Sequence, residues 1–271
     1  MFNYFFGSDF RSVEYLRVLY KNNLNIKVVT LNPKPTGRGQ QTKANPVEVF
    51  ANTHNIPFEY FTKDAVYKDM TKGLCVSFGK IFTSSFLNRN NPIFNVHLSL
   101  LPMYKGPSPV ETTILQREKI AGISIFNINP EIDGGDIVYR NSFKISESTY
   151  ASDIYSEAIN IFTNEFNKIV ESISKLSLED NLEISHTDKF IKNDFSITNK
   201  TVSEAKRMIR AFDVIGPAFC IVNDKLFKIH AYTETPNKLP IQLIDGILYP
   251  SLITPAGKKK MKTEDYIRGN L

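Results

Sequence analysis

The N-terminal part of the chain alternates short apolar segments with amphipathic ones, and this alternation constrains the fold more than any other feature. Residues 1–6, 26–31 and 74–78 have the pattern of strands, and Ser8-Asp9 can cap a helix after the first. Such alternation predicts an α/β fold with a parallel sheet and helices on both faces. Gly7 is the only glycine in the turn directly after the first strand, so the three-glycine turn of dinucleotide-binding proteins is absent there. We therefore expect Rossmann-like topology without a dinucleotide cofactor.

Further patterns extend this architecture. Residues 33–45 are polar and rich in Gly and Pro, which predicts a loop, and a polar helix is expected between 61 and 74. Residues 123–128 and 137–143 predict two strands joined by a turn. An apolar stripe at helical spacing predicts a long helix over 151–176.

A second, smaller domain is expected at the C-terminal end. After a polar stretch, a short amphipathic helix is followed by several short strands, which suggests a small β-barrel. We predict a catalytic domain at 1–180, a linker at 181–196 and a C-terminal domain at 197–271.

The excess positive charge lies in that second domain. Residues 190–271 hold 13 Lys and Arg against 8 Asp and Glu, which accounts for the whole formal net charge of +5. The densest part is the run Lys258-Lys259-Lys260. Such a run is either a solvated surface or a face that binds a polyanion, and charge alone does not choose between them.

Other features bound the class of protein. No run of about 18 apolar residues exists and the N-terminus has no signal-peptide pattern, so we expect no membrane span and a cytoplasmic location, or an organelle matrix. Cys75 and Cys220 lie in apolar contexts, which predicts buried thiols in a reducing compartment. The histidines show no metal-ligand spacing, so no metal is expected. A monomer is the simplest oligomeric state.

The candidate site begins with the run Asn95-Val96-His97-Leu98-Ser99-Leu100-Leu101-Pro102, followed later by Asp133 in Ile132-Asp133-Gly134-Gly135-Asp136. Asn95 and His97 are two apart on a predicted strand, so both side chains point to the same side. Open α/β sheets place their chemistry where strands end. An amide, an imidazole and a carboxylate suffice to transfer an acyl group without a covalent enzyme intermediate.

This run resembles the formyltransferases that use 10-formyltetrahydrofolate, whose shared pattern is Asn-x-His-x-Ser-Leu-Leu-Pro followed by an Asp in a glycine-containing turn. The resemblance implies that Asn95, His97 and Asp133 are catalytic. It also implies that the folate co-substrate lies against Ser99, Leu100, Leu101 and Pro102.

Within that family, the chain is most similar to the methionyl-tRNA formyltransferases. The likeness rests on Pro35-Thr36-Gly37-Arg38-Gly39, on Ile209-Arg210-Ala211-Phe212, and on the C-terminal segment around Lys258-Lys259-Lys260. It implies that Arg38 and these three lysines contact initiator methionyl-tRNA, and that the product is N-formylmethionyl-tRNA for translation initiation. It also implies an OB-like C-terminal barrel, here shorter than usual.

The chemistry implied needs no enzyme nucleophile, because the amine of the acceptor attacks. Asn95 and protonated His97 can donate hydrogen bonds to the tetrahedral oxyanion. Asp133 can either orient His97 and stabilise its charge, or accept the proton that leaves the amine. Gly134 and Gly135 permit a tight turn around Asp133.

Two other functions remain open. A sugar N-formyltransferase would share the fold, the folate and the catalytic triplet but act on a nucleotide-linked amino sugar, and the shortened barrel favours it mildly. A catalytically idle tRNA-binding factor on the same scaffold is the third reading. The chain departs from the family pattern at Lys105, Glu111 and Ser124, where Arg, Gln and Thr are usual.

Overall fold

The computed structural model describes residues 1–22, 25–36, 41–90, 92–173 and 183–269. The chain forms two compact units. The first comprises Met1–Gly106, Gly122–Ser142 and Tyr155–His186. The second comprises Pro107–Ala121, Phe143–Ile154 and Thr187–Leu271. The domain boundaries expected from the sequence stay a prediction.

Seven strands of the first part of the chain form one sheet, in the order β5-β2-β1-β6-β7-β8-β9. Neighbours from β5 to β7 are parallel, whereas β8 is antiparallel to β7. The remaining two strands, β3 and β4, form a separate hairpin. The strands are β1 (Tyr4–Gly7), β2 (Lys27–Thr30), β3 (Lys34–Thr36), β4 (Gln41–Lys43), β5 (Phe58–Tyr60), β6 (Gly73–Val76), β7 (Ile93–His97), β8 (Ile120–Asn127) and β9 (Ile137–Lys144).

Local sequence explains where the helices begin. The Asp9 side chain accepts hydrogen bonds from the backbone of Arg11 and Ser12, and Asn45 caps the next helix with Pro46 in its first turn. The helices are α1 (Phe10–Lys21), α2 (Pro46–Thr53), α3 (Ser84–Arg89), α4 (Pro109–Leu115), α5 (Ala151–Asn164), α6 (Phe166–Ser172), a 3-10 helix (Lys192–Phe195), α7 (Val202–Ala211) and α8 (Thr263–Arg268).

The central sheet is buried on both faces, as a parallel sheet covered by helices must be. Phe5 belongs to a large core that includes Leu16 of α1 and Phe162 of α5. Its neighbour in sequence, Phe6, belongs to a separate aromatic cluster that includes Phe78 and Phe86. Successive side chains of β1 thus enter opposite layers, which explains why this strand has no polar alternation.

Three predicted elements differ in detail. The loop expected over 33–45 contains the β3–β4 hairpin. No polar helix forms between 61 and 74, because the Asn90 amide binds the backbone of Tyr67 and Ala65 and holds turns there. The long helix is interrupted at Glu165, which separates α5 from α6, and residues 174–176 lie outside the described part.

The second unit carries an antiparallel half-barrel in the order β10-β11-β13-β12, with β14 also paired to β13. Buried residues of α7, among them Ala205 and Ile209, form the apolar side of that helix. The predicted fold class is confirmed. Across the described residues, no helix is long and apolar enough to cross a bilayer. The strands are β10 (Ala218–Val222), β11 (Lys225–Thr233), β12 (Ile241–Gln242), β13 (Ile247–Pro255) and β14 (Met261–Lys262).

Candidate active site

The site is built on β7, between β6 and β8 in the sheet. Asn95 lies opposite Cys75 on one side and Phe126 on the other, and His97 lies opposite Ser124. The Asn95 side chain is half-buried and makes no hydrogen bond to any residue that the structure describes. Its amide is therefore available to a ligand, whereas a buried amide in a core would be satisfied internally.

His97 is buried, and both of its ring nitrogens face oxygen atoms. Its Nε2 lies 2.9 Å from the carbonyl oxygen of Tyr104, so Nε2 carries a proton and donates. Its Nδ1 lies 3.6 Å from Oδ2 of Asp133. The hydrogen bond to the carbonyl sets the orientation of the ring, and its other nitrogen faces the carboxylate.

Asp133 lies in a turn that is stabilised by a backbone hydrogen bond. Its φ of 47° is in the left-handed region, and its Oδ2 accepts a hydrogen bond of 2.7 Å from the backbone N–H of Gly106. No described residue donates a hydrogen bond to the other oxygen, Oδ1. One oxygen therefore positions the carboxylate beside His97, and the second can accept a proton.

Gly135 is the residue that this turn requires. A Cβ at position 135 would lie 1.7 Å from the backbone oxygen of Asn127, which no side chain could tolerate. Gly134 is crowded by the flexible side chain of Glu131 instead. The sequence predicts a tight turn here, and position 135 has the strictest requirement for glycine within it.

A buried lysine connects the two loops that meet at His97. The Lys105 Nζ lies 2.8 Å from Oε1 of Glu131, two residues before Asp133, and its backbone N–H donates to the oxygen of Ser185. The hydrogen bond from Lys105 lowers the pKa of the Glu131 carboxyl below its usual range. Sequence reasoning noted Lys105 only as a departure from the family pattern, and nothing in the sequence pairs it with Glu131.

The Asp133 carboxylate also affects a side chain of β6, the strand next to β7. Burial raises the pKa of the Cys75 thiol, and the Asp133 carboxylate raises it further. Cys75 is the sheet neighbour of Asn95, and His97, two residues further along the same strand, faces Asp133. A thiol held in its neutral form is a poor nucleophile, which fits chemistry in which the acceptor amine attacks.

The predicted folate segment has two kinds of residue. Ser99 and Leu101 are buried, and they hold the turn: the Ser99 hydroxyl donates to the oxygen of Met103, and the Leu101 N–H donates to Ser124 Oγ. Leu100 and Pro102 are half-buried. These two are the members of the segment that can contact a ligand directly.

The predicted tRNA contacts are less completely described. Arg38 lies outside the described residues. Lys258, Lys259 and Lys260 are exposed in the turn between β13 and β14, with Lys258 over the ring of Tyr266. Their role stays a prediction.

In the parts of the chain with described coordinates, no group of three or more His, Cys, Asp or Glu side chains could hold a metal ion.

Comparison with known proteins gives a consistent result. A family model described as formyl transferase matches residues 6–165. Methionyl-tRNA formyltransferase of Fervidobacterium nodosum is 26% identical over 95% of this chain and 92% of its own. That of Pelagibacter ubique is 32% identical over 83% of this chain and 78% of its own. Among solved structures, the sugar 3N-formyl transferase WlaRD, with dTDP and 5-N-formyl-THF, gives a TM-score of 0.65 at 23% identity, covering 96% and 99%. This last likeness concerns the fold alone.

Proposed function

The chain belongs to the formyl transferase family, and we propose that it transfers a formyl group from 10-formyltetrahydrofolate to the amino group of initiator methionyl-tRNA. The family predicted from the Asn95–Pro102 run is thus the family found. One observation carries the proposal: a buried His97–Asp133 pair beside an Asn95 amide without an internal partner.

The pair and the amide fit acyl transfer to an amine. The acceptor amine attacks the formyl carbon, and negative charge develops on the formyl oxygen. The unpaired Asn95 amide donates to this oxygen, and His97 adds a second hydrogen bond when its Nε2–H turns from the Tyr104 carbonyl to the formyl oxygen. Collapse of the tetrahedral intermediate breaks the bond between the formyl carbon and N10, and tetrahydrofolate leaves with a proton on N10. The free Oδ1 of Asp133 takes the proton that leaves the amine, while its Oδ2 stays hydrogen-bonded to Gly106 and faces His97. In this arrangement Asp133 performs both roles that the sequence left open.

The residues present fit the folate co-substrate. The turn from Ser99 to Pro102 is stabilised by its own hydrogen bonds, so its backbone and the half-buried Leu100 and Pro102 offer a preformed surface at the end of β7. When bound there, the folate supplies the formyl group, and these residues orient it toward Asn95.

The identity of the formyl acceptor is the more specific part of the proposal. Relatives named methionyl-tRNA formyltransferase align over most of this chain at up to 34% identity, and the second unit carries the basic run 258–260. The sugar enzyme WlaRD supports the fold but not its acceptor. An exposed run of three lysines suits the many phosphates of a nucleic acid better than the few of a nucleotide-linked sugar.

A formyl-transfer assay tests the acceptor directly. The full chain is incubated with 10-formyltetrahydrofolate and, in parallel, with initiator methionyl-tRNA, elongator methionyl-tRNA and a nucleotide-linked amino sugar. We expect product on the initiator tRNA. Product on the sugar alone would assign the chain to carbohydrate modification. Tight tRNA binding without any product would identify the idle tRNA-binding factor instead.

A further inference from the structure

The second unit contains a cavity of about 240 Å³ whose lining is strongly basic. It is formed by the turn after α4, the segment 145–147, α7 and Tyr232, all within that unit. Two of its charged residues are carboxylates, Glu118 and Glu147. The five cationic residues of the lining are Arg117, Lys119, Lys206, Arg207 and Arg210.

The two lysines of this lining have carboxylate partners. Lys206 lies 2.6 Å from Glu234, and Lys119 lies 3.4 Å from Glu147. Arg117 and Arg207, in contrast, form no salt bridge within the described part of the chain. The uncompensated charge of the cavity therefore belongs to guanidinium groups.

These guanidinium groups are crowded. Burial lowers the pKa of Arg207 below its ordinary value, and the positive charge of Arg117 lowers it further; the effect of Glu204 opposes this, and Arg210 adds the smallest lowering. Like charges held together in a partly desolvated site cost free energy, and a bound anion removes that cost.

Arg210 adds an independent observation. This residue is only 8% exposed, and one of its terminal nitrogens donates a 3.2 Å hydrogen bond to the backbone oxygen of Thr149. Its Nε is buried and has no hydrogen-bond partner. A buried donor without an acceptor is rare and unfavourable, and a small movement of Arg210 toward an anion in the cavity would satisfy it.

The backbone that presents Arg117 is also unusual. After α4, the N–H of Arg117 donates to the oxygen of Ile114 and that of Glu118 to the oxygen of Thr113, which is the Schellman end of a helix. The residue in its left-handed position, φ 62°, is normally glycine, yet here it is Arg117. Strain of this kind is retained most often where a side chain serves a ligand.

We infer that this cavity binds a terminal phosphate group. Guanidinium forks match phosphate oxygens through paired N–H donors, and three of them suit a dianion. The volume is below the roughly 300 Å³ at which sites for drug-sized ligands begin, so it suits a compact group. A terminal phosphate carries up to two negative charges and so matches three guanidinium groups better than a backbone phosphodiester, which carries one. The inference does not depend on the acceptor proposed above.

Binding of inorganic phosphate to the full chain provides the first test. Titration calorimetry and thermal melts are run at constant ionic strength on the wild type, Arg117→Gln, Arg207→Gln and the control Arg268→Gln, an exposed arginine of the same unit. We expect phosphate to raise the melting temperature of the wild type and the control alike. The affinity of either cavity variant should fall at least tenfold. Because each removes a crowded charge, their melting without phosphate should not fall.

A second measurement identifies the source of the phosphate. A short RNA hairpin is compared with and without a 5′-phosphate. If the 5′-phosphate strengthens binding to the wild type but not to Arg207→Gln, the group is the end of an RNA. If inorganic phosphate binds and the 5′-phosphate has no effect, the ligand is a free phosphorylated molecule. Equal affinities of wild type and both cavity variants for inorganic phosphate and for both hairpins would overturn the inference.

Discussion

At the scale of single residues, Asn95 and His97 differ in whether their side chains are hydrogen-bonded within the protein. The His97 ring is hydrogen-bonded to the Tyr104 carbonyl and faces Asp133, whereas the Asn95 amide has no hydrogen bond to any described residue. The orientation of the ring is therefore set before substrate arrives. Leaving the amide unpaired reserves its donors for the developing oxyanion.

The unpaired amide leads to a clear expectation for Asn95→Ala. Formyl transfer should fall by about 10²–10³ in kcat, the usual cost of losing one oxyanion donor. The melting temperature should stay near that of the wild type, because no internal hydrogen bond is lost. Steady-state kinetics and thermal melts check this, with Asn160→Ala on α5 as the control. Near-normal turnover would remove Asn95 from the catalytic set.

The roles of Glu131 and Asp133 can be distinguished by replacing each carboxylate with the corresponding amide. Asp133→Asn should lower kcat by about 10²–10⁴, because the amide cannot accept the amine proton. Glu131→Gln, two positions earlier, should lower it only a few-fold, since its carboxylate is largely exposed and its pairing with Lys105 is screened. Comparable losses in both variants would show that the turn acts only through its shape.

At the scale of elements, the turn between β8 and β9 depends on one glycine. We expect Gly135→Ala to destabilise the protein by about 1–3 kcal/mol or more, since its Cβ would overlap the backbone oxygen of Asn127. Gly269→Ala is the matched control, because a Cβ there meets nothing closer than 3.6 Å. Chemical denaturation measures both. A neutral Gly135→Ala would mean that the turn can rearrange.

The sequence predicts the elements of this site better than their contacts. The period of the strands and the turn chemistry indicate β7 and the Asp133 turn, and the motif identifies Asn95, His97 and Asp133. The carbonyl of Tyr104 and the N–H of Gly106 are backbone groups, and their contacts cannot be inferred from the type of residue at those positions. Likewise, Asn90 prevents the expected polar helix through bonds to residues more than twenty positions away. Such long-range contacts override local propensity.

The strand β11 carries a group that links stability to pH. Burial, then the charges of Lys260 and Lys228, lower the pKa of His230 to about 4, below its ordinary value. The unfolded chain therefore binds more protons than the folded one between about pH 6.5 and 4, so stability falls as pH falls through that window.

Replacing this histidine should remove that dependence. His230→Gln keeps a polar group near Thr254 and has no proton to gain. We expect the wild type to lose on the order of 1 kcal/mol more stability than the variant between pH 7 and pH 5, after allowing for solvent screening of a half-exposed ring. Urea unfolding at the two pH values measures the difference. Parallel losses in the two proteins would contradict the lowered pKa.

At the scale of the whole molecule, the excess charge and the catalytic triplet occupy different units. The triplet lies in the first unit, and the lysine run 258–260 lies in the second. Changes to the charge should therefore alter affinity for a polyanion and leave the chemical step untouched.

The salt dependence of tRNA binding tests this separation. Replacing Lys258, Lys259 and Lys260 together by Gln should weaken binding and reduce the slope of log K against log salt by up to about 2–3, because fewer counterions are released. The control replaces the exposed Lys63, Lys68 and Lys80 of the first unit, which changes the net charge equally. Equal slopes for the two triple variants would argue against a specific role of the run.

The second unit is built from three separate chain segments, so its parts are synthesised at different times. Its segments 107–121 and 143–154 leave the ribosome long before 187–271. Until then, α4 lacks α7, the helix it packs against, and buried residues such as Val110 and Ile114 stay without their partners. A nascent chain paused after residue 186 would expose this apolar surface to chaperones. A gene encoding only the first 186 residues should therefore yield an aggregating product.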